Sequence, residues 1–203
     1  QVEHTVSEMI TGLDLVKEQI KVERGEKLSF KQEDLKINGH SIEVRVCAED
    51  PANNFLPDIG KLIVYKTPSG PGVRVDDGFE EGMDIPIYYD PMISKLVVHG
   101  KDRNDAIAKM LRAINDYKII GVETTLDFCT FVLKHEAFIS GKFDTGFISK
   151  YFTPEVLNPT GNENDEALAI AASFIFNTNK KQAQPALNQS VKKSKWRENR
   201  LKD

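Results

Sequence analysis

The chain has 203 residues, 40% of them apolar and 29% charged, with a formal net charge of -4. That length and balance suit one ordinary domain with a tail, or two small domains, and either buries a real core. The charge argues against a broad basic field for nucleic acid, and no apolar run approaches the roughly eighteen residues of a membrane-spanning helix.

The chain opens on Gln1-Val2-Glu3-His4, and a helical pattern follows at once. This opening reads as a piece of a longer enzyme, with half of the active site expected upstream of residue 1. Met9, Ile10, Leu13, Leu15, Val16, Ile20 and Val22 alternate with charged residues over 8–24, which predicts an amphipathic helix. Thr11-Gly12 is a kink and an alternative start, and Gly25 is the stop. Ile42, Val44 and Val46 alternate with Glu43, Arg45 and Cys47, a strand signature that puts Glu43 and Arg45 on one face, opposite the packed one.

Residues 50–91 are rich in turns, with Asp50-Pro51, Leu56-Pro57, Ile59-Gly60, Pro68-Ser69-Gly70-Pro71-Gly72 and Asp77-Gly78 separating short apolar runs. Leu62 to Tyr65, Val73 to Val75 and Ile85 to Tyr89 fit strands of an antiparallel meander, and Ile93 to His99 is a further strand that ends at Gly100. From Arg103 to Tyr117 the period turns helical, with Asp102 as N-cap and Ala106, Ile107, Met110, Leu111 and Ile114 in one stripe. Thr124 or Thr125 caps a second helix carrying Leu126, Phe128, Phe131, Val132 and Leu133, and a shorter helical piece spans Thr145 to Tyr151. Asn158 to Asp165 reads as a polar loop, Glu166 to Thr178 as a small helix, and residues 180–203, with eight Lys or Arg against two acids, as a disordered linker.

Two polar stretches carry the candidate chemistry. Glu3 offers a carboxylate and Arg45 a guanidinium, a combination that can surround a small anionic reactant. A carboxylate serves as a general base when burial raises its pKa, and an arginine stabilises a negatively charged oxygen with directed donors that never lose their charge. Taken alone, Glu3 reads first as a solvated acid and Arg45 first as the partner of Glu43 in a surface salt bridge. The histidines, His4, His40, His99 and His135, are scattered and predict no metal site, and His40 after Gly39 reads as a turn residue. The stretch from Pro68 to Gly72 lacks the lysine-serine ending of a phosphate loop. Cys47 and Cys129 read as buried or half-buried thiols in a reducing compartment. Tyr88, Tyr89 and Asp90 are assigned to packing and assembly.

Gln1 to Val16 resembles the end of the ATP-grasp part of biotin carboxylase. Further landmarks agree in order: Gly39-His40 with Glu43-Val44-Arg45, Ala48-Glu49-Asp50-Pro51, Phe55-Leu56-Pro57 with Gly60-Lys61, Gly72-Val73-Arg74, and Tyr88-Tyr89-Asp90-Pro91-Met92-Ile93 with Lys95-Leu96. The resemblance covers about residues 1–150. It implies an α+β fold, an antiparallel β-sheet meander with flanking helices, preceded by the last helix of the ATP-grasp domain. The implied organisation is the end of the ATP-grasp domain and a connector at 1–38, the biotin carboxylase C-terminal domain at 39–152, and a small helix with a basic linker at 153–203. Ser194-Lys195-Trp196-Arg197 resembles the entry to a carboxyltransferase-contact segment, which favours the biotin carboxylase subunit of an acetyl- or propionyl-CoA carboxylase.

The resemblance further implies that Glu3 is the base for bicarbonate, that Gln1 and Val2 help hold bicarbonate, and that Arg45 contacts bicarbonate or phosphate and stabilises the biotin enolate. ATP, magnesium and carrier-bound biotin are the implied cofactors, with the nucleotide and metal held largely upstream. The implied partners are the biotin carboxyl carrier domain, the carboxyltransferase and a second copy of the subunit, with Asp90 near the dimer contact. Neither nucleic acid nor membrane is expected, and the location implied is cytoplasmic, or the mitochondrial matrix in a eukaryote. Thr5 stands where a proline is common in the family, and an extra residue falls around Asn53-Asn54. The isolated chain is expected to be inactive. The alternatives are a non-catalytic dimerisation and carrier-docking module, or the same region of a pyruvate or urea carboxylase.

Overall fold

The structure is a computed structural model that describes residues 4–86, 88–157, 168 and 170–173. It divides into two units, Gln1–Asn158 and Pro159–Asp203. In the second unit, residues 168 and 170–173 are helical, within the predicted 166–178 helix. The predicted polar loop and the 180–203 linker lie outside the described residues.

In the first unit, Gly12 at φ +74° divides the N-terminal stretch into two helices, α1 (His4–Thr11) and α2 (Leu15–Glu23). Asp14 caps α2 by accepting from the Lys17 amide at 2.8 Å. The predicted helix over 8–24 is therefore a pair, because a left-handed residue cannot continue a right-handed helix. Gly39 at φ +68° then turns the chain into β1 (His40–Cys47), and a Cβ there would collide with the Gly100 carbonyl. His40 is the first residue of that strand rather than part of the turn. Burial and the nearby Arg103 charge push its imidazole pKa down.

Short strands β2 (Glu49–Asp50) and β3 (Leu56–Pro57) pair with each other around Asn54 and Phe55, both in left-handed conformation. The strained loop turns Phe55 onto Phe128 and Phe152, with ring centroids at 4.9 and 5.6 Å. There follow β4 (Val64–Lys66), β5 (Val73–Asp77), β6 (Met92–Gly100), α3 (Arg103–Asp116), β7 (Lys118–Ile120), α4 (Leu126–Lys134), α5 (Glu136–Ile139) and α6 (Phe147–Tyr151).

The fold is α+β, with an antiparallel sheet flanked by helices, as predicted. Its main sheet has three strands in the order β1-β6-β5, so β6 lies at the centre. β4 leaves this sheet and pairs with β7, which follows α3 in the chain. Ile85 to Tyr89, expected as a strand, does not form one: Ile85 and Pro86 are irregular and Tyr88 and Tyr89 lie in a turn and bend. Pro86 has no N–H to give to a ladder. Tyr88 and Tyr89 are 87% and 81% exposed, so neither is a core aromatic.

The main core joins one face of the sheet to α3. Ile42, Val44 and Val46 of β1 and Leu96 and Val98 of β6 meet Ala106, Ile107, Met110, Ala113 and Ile114 of α3. Each fully buried large side chain contributes about 1.5–3 kcal/mol from removal of apolar area from water. The polar groups in this layer are satisfied: Tyr117 Oη lies 2.7 Å from both Tyr65 Oη and Ser94 Oγ. The predicted cap of α3 is present, with Asp102 accepting from the Asp105 amide at 2.9 Å.

Candidate active-site face of the sheet

The opposite face of the same sheet carries charge. Register places Arg45, Lys95 and Asp76 in one row across β1, β6 and β5, and Glu43, Val97 and Arg74 in the next. Helix α1 packs against β1 and β6 on this unit. Val97, although it lies on the face away from α3, is fully buried.

Two residues of α1, three positions apart and so on one side of the helix, reach strand side chains. Thr5, with no solvent exposure, donates its hydroxyl hydrogen bond to Glu43 Oε2. Glu8 accepts from Arg74 Nη1 at 2.7 Å. Arg74 also grips Asp76 with both carboxylate oxygens at 2.7 Å, the parallel fork geometry of a strong charge-assisted pair. Hydrogen bonds to Asp76 and then to Glu8 raise the Arg74 pKa further. In turn, the Arg74 hydrogen bonds hold the Asp76 carboxyl below its usual range.

Arg45 differs from Arg74. Its Nε lies 3.7 Å from Glu43 Oε1, a loose pair, and its side chain is 55% exposed. Lys95 stands directly across from it on β6, a like charge rather than a partner. Among the described residues the Arg45 guanidinium therefore keeps most of its donors free for a ligand. Its backbone is fixed from the other side: the Thr125 hydroxyl donates to the Arg45 carbonyl at 3.0 Å and accepts from the Cys47 amide at 3.1 Å. Thr125 is the predicted N-terminal residue of α4, but its side chain braces β1 instead of capping the helix.

Glu43 and Arg45 thus share the polar face of β1, as expected, and their side chains meet only in the loose 3.7 Å approach. Gln1, Val2 and Glu3 lie outside the described residues, immediately before α1. Thr5, Glu8, Arg74, Asp76 and Lys95 were given no role in the sequence. The period-2 pattern of β5 and β6 carried the signal, since Arg74, Asp76 and Lys95 alternate with core residues on their strands. Asp90 is a turn acid, accepting from the Met92 amide at 2.8 Å. Burial pushes the free thiols Cys47 and Cys129 up to about 11 and about 12, which makes them poor nucleophiles.

Among the described residues no group of three or more His, Cys, Asp or Glu is arranged to hold a metal ion. The described residues offer an exposed guanidinium, braced at its backbone, on the sheet face covered by α1.

Residues 43–150, more than half of the chain, match the family described as biotin carboxylase C-terminal domain. The chain belongs to that family. Residues 1–31 match the carbamoyl-phosphate synthase L chain, ATP binding domain. Biotin carboxylase 1 of Bacillus subtilis is 51% identical over 74% of this chain, and the match covers 34% of that protein. The mitochondrial propionyl-CoA carboxylase alpha chain of Homo sapiens is 46% identical over 86% of this chain and 25% of its own length. The biotin carboxylase domain of a thermophilic 2-oxoglutarate carboxylase bound to bicarbonate superposes with a TM-score of 0.74 at 43% identity, over 77% of this chain and 35% of that one. The chain thus spans a quarter to a third of the curated relatives it matches, which are biotin-dependent carboxylases that include the acyl-CoA carboxylase type.

Proposed function

We propose that this chain is the C-terminal part of the biotin carboxylase component of an acyl-CoA carboxylase. In its full length that enzyme carboxylates carrier-bound biotin with ATP and bicarbonate. The observation that carries the reading is Arg45: exposed, braced, and poor in protein partners on the sheet face beneath α1. Glu3, just ahead of α1, is the base for bicarbonate, with Gln1 and Val2 beside it. Arg45 first neutralises bicarbonate and then holds the enolate oxygen of biotin. Fixed donors aimed at a developing oxyanion are worth about 3 kcal/mol of transition-state stabilisation.

The acyl-CoA subtype is supported by the match to the propionyl-CoA carboxylase alpha chain, which reaches 86% of this chain against 74% for the Bacillus biotin carboxylase. ATP and magnesium belong to the remainder of the ATP-binding domain. An apolar groove of about 600 Å³, lined by Leu15, Val16, Val22, Leu28 and Phe30, suits packing against that remainder. The partners are the biotin carrier domain, the carboxyltransferase and a second copy of the subunit. The compartment is the cytoplasm, or the mitochondrial matrix in a eukaryote.

The test is Arg45→Ala in the full-length enzyme. Biotin carboxylation falls by about 100- to 1,000-fold, while the protein stays folded. Unchanged turnover overturns the catalytic reading, and loss of assembly with an intact folded subunit favours a dimerisation and docking role. The 203-residue chain alone shows no bicarbonate-dependent ATP hydrolysis, and clear turnover there overturns the assignment of nucleotide chemistry to the missing part.

A further inference from the structure

We propose that Glu43 and Thr5 are positioning residues for Arg45. The Thr5 hydroxyl, acting through the Glu43 carboxylate, ties the aim of the guanidinium to the seating of α1. This rests on the reading of Arg45 as the anion-binding cation. Three features carry it.

First, the two oxygens of Glu43 are divided between two partners. One accepts from Thr5 and the other faces Arg45 Nε, and the side chain is only 12% exposed. A carboxylate that is nearly buried stays where its donor holds it, and here the donor is Thr5 of α1, which leaves the other oxygen turned to the Arg45 charge. Second, the Thr5 hydroxyl leaves its own helix and crosses to a residue 38 positions away. Third, Arg45 is anchored at its backbone by Thr125, yet a long side chain anchored only at its base sweeps a wide arc. Glu43 is the group among the described residues that restricts that arc.

Thr5 lies in the first turn of α1. Glu8, Arg74 and Asp76 clamp α1 one turn further on. Loss of the Thr5 hydroxyl therefore leaves the helix docked and changes the support of Glu43 alone. This makes the positioning role separable from a purely structural one.

The experiment compares Glu43→Gln, Thr5→Val and Thr5→Ser in the full-length enzyme, with Arg45→Ala beside them. Each is assayed for kcat and for KM of bicarbonate and of ATP, and each is checked by thermal unfolding. Glu43→Gln lowers kcat by about ten- to a hundred-fold, with the KM for ATP unchanged. Thr5→Val moves kcat in the same direction by a smaller factor, and Thr5→Ser, which restores the hydroxyl, recovers it. Should Glu43→Gln fail to fold, the Val and Ser pair at position 5 carries the test. The proposal is overturned if Arg45→Ala cripples the enzyme while folded Glu43→Gln and Thr5→Val keep wild-type kcat and bicarbonate KM. It is also overturned if Thr5→Ser is as impaired as Thr5→Val, since the hydroxyl is then not what matters. If Arg45→Ala is itself fully active, the functional reading fails first and takes the positioning role with it.

Discussion

One three-stranded sheet shows two chemistries on its two sides. On the side facing α3, Ile42, Val44, Val46, Leu96 and Val98 merge into a closed apolar layer. On the side facing α1, the intervening positions hold Glu43, Arg45, Lys95, Arg74 and Asp76, and an eight-residue helix sits over them. The first face is held by burial, which has no direction and tolerates any filling of the right volume. The second is held by paired charges and hydrogen bonds, which fix angles as well as distances. The core thus supplies stability, and the charged face supplies the aim of one arginine. Even within that face the two arginines differ: Arg74 is locked by two carboxylates, whereas Arg45 is left open.

The contrast can be broken most forcefully from the apolar side. Leu96→Ala removes a fully buried side chain at the centre of the sheet. It lowers stability by about 2–5 kcal/mol, read as a drop in the urea midpoint, and a loss under 1 kcal/mol would mean that the layer is not the main support. Arg74→Ala acts on the other face. It leaves Glu8, whose side chain is 9% exposed, with only the Leu15 amide at its other oxygen, and frees Asp76. The expected loss is about 1–3 kcal/mol, with faster amide exchange confined to α1. Uniform exchange across the unit would show that the clamp does not hold α1 in particular.

Acid sharpens the comparison with a smaller effect. Arg74 keeps the Asp76 carboxyl below its ordinary value, so the folded state takes up this proton less readily than the unfolded chain. The resulting stabilisation is complete above the ordinary carboxylate pKa of about 4 and is lost as pH falls through the lower folded value. Wild type and Asp76→Asn therefore converge in urea midpoint below about pH 4. Curves that stay parallel through that range would remove Asp76 from the clamp. Smallest of all is Arg45→Ala, whose loose and half-exposed pair contributes less than about 0.5 kcal/mol. A larger loss of stability would make Arg45 a structural residue rather than one kept available for a ligand.

Local pattern carried much of this architecture. The alternation through β1 identified its buried and polar faces, and with them the shared side of Glu43 and Arg45. The stripe and Asp102 cap of α3 followed from helical spacing. Pairings were another matter. β4 joins β7 across more than fifty residues, and Ile85, Pro86, Tyr88 and Tyr89 stay out of any strand, because a short run announces that it needs cover without naming what covers it. The clamp residues were equally hidden. Thr5, Glu8, Arg74 and Asp76 are spread over more than seventy positions and look like ordinary surface polar groups until the chain closes.

Residue order by itself settled the family motifs, the period of β1 and of α3, and the polar face on which Arg45 stands. Only the tertiary structure decided which charges meet. Period is a property of neighbours along the chain, whereas an ion pair depends on register and on the docking of a helix, and these are set by long-range packing.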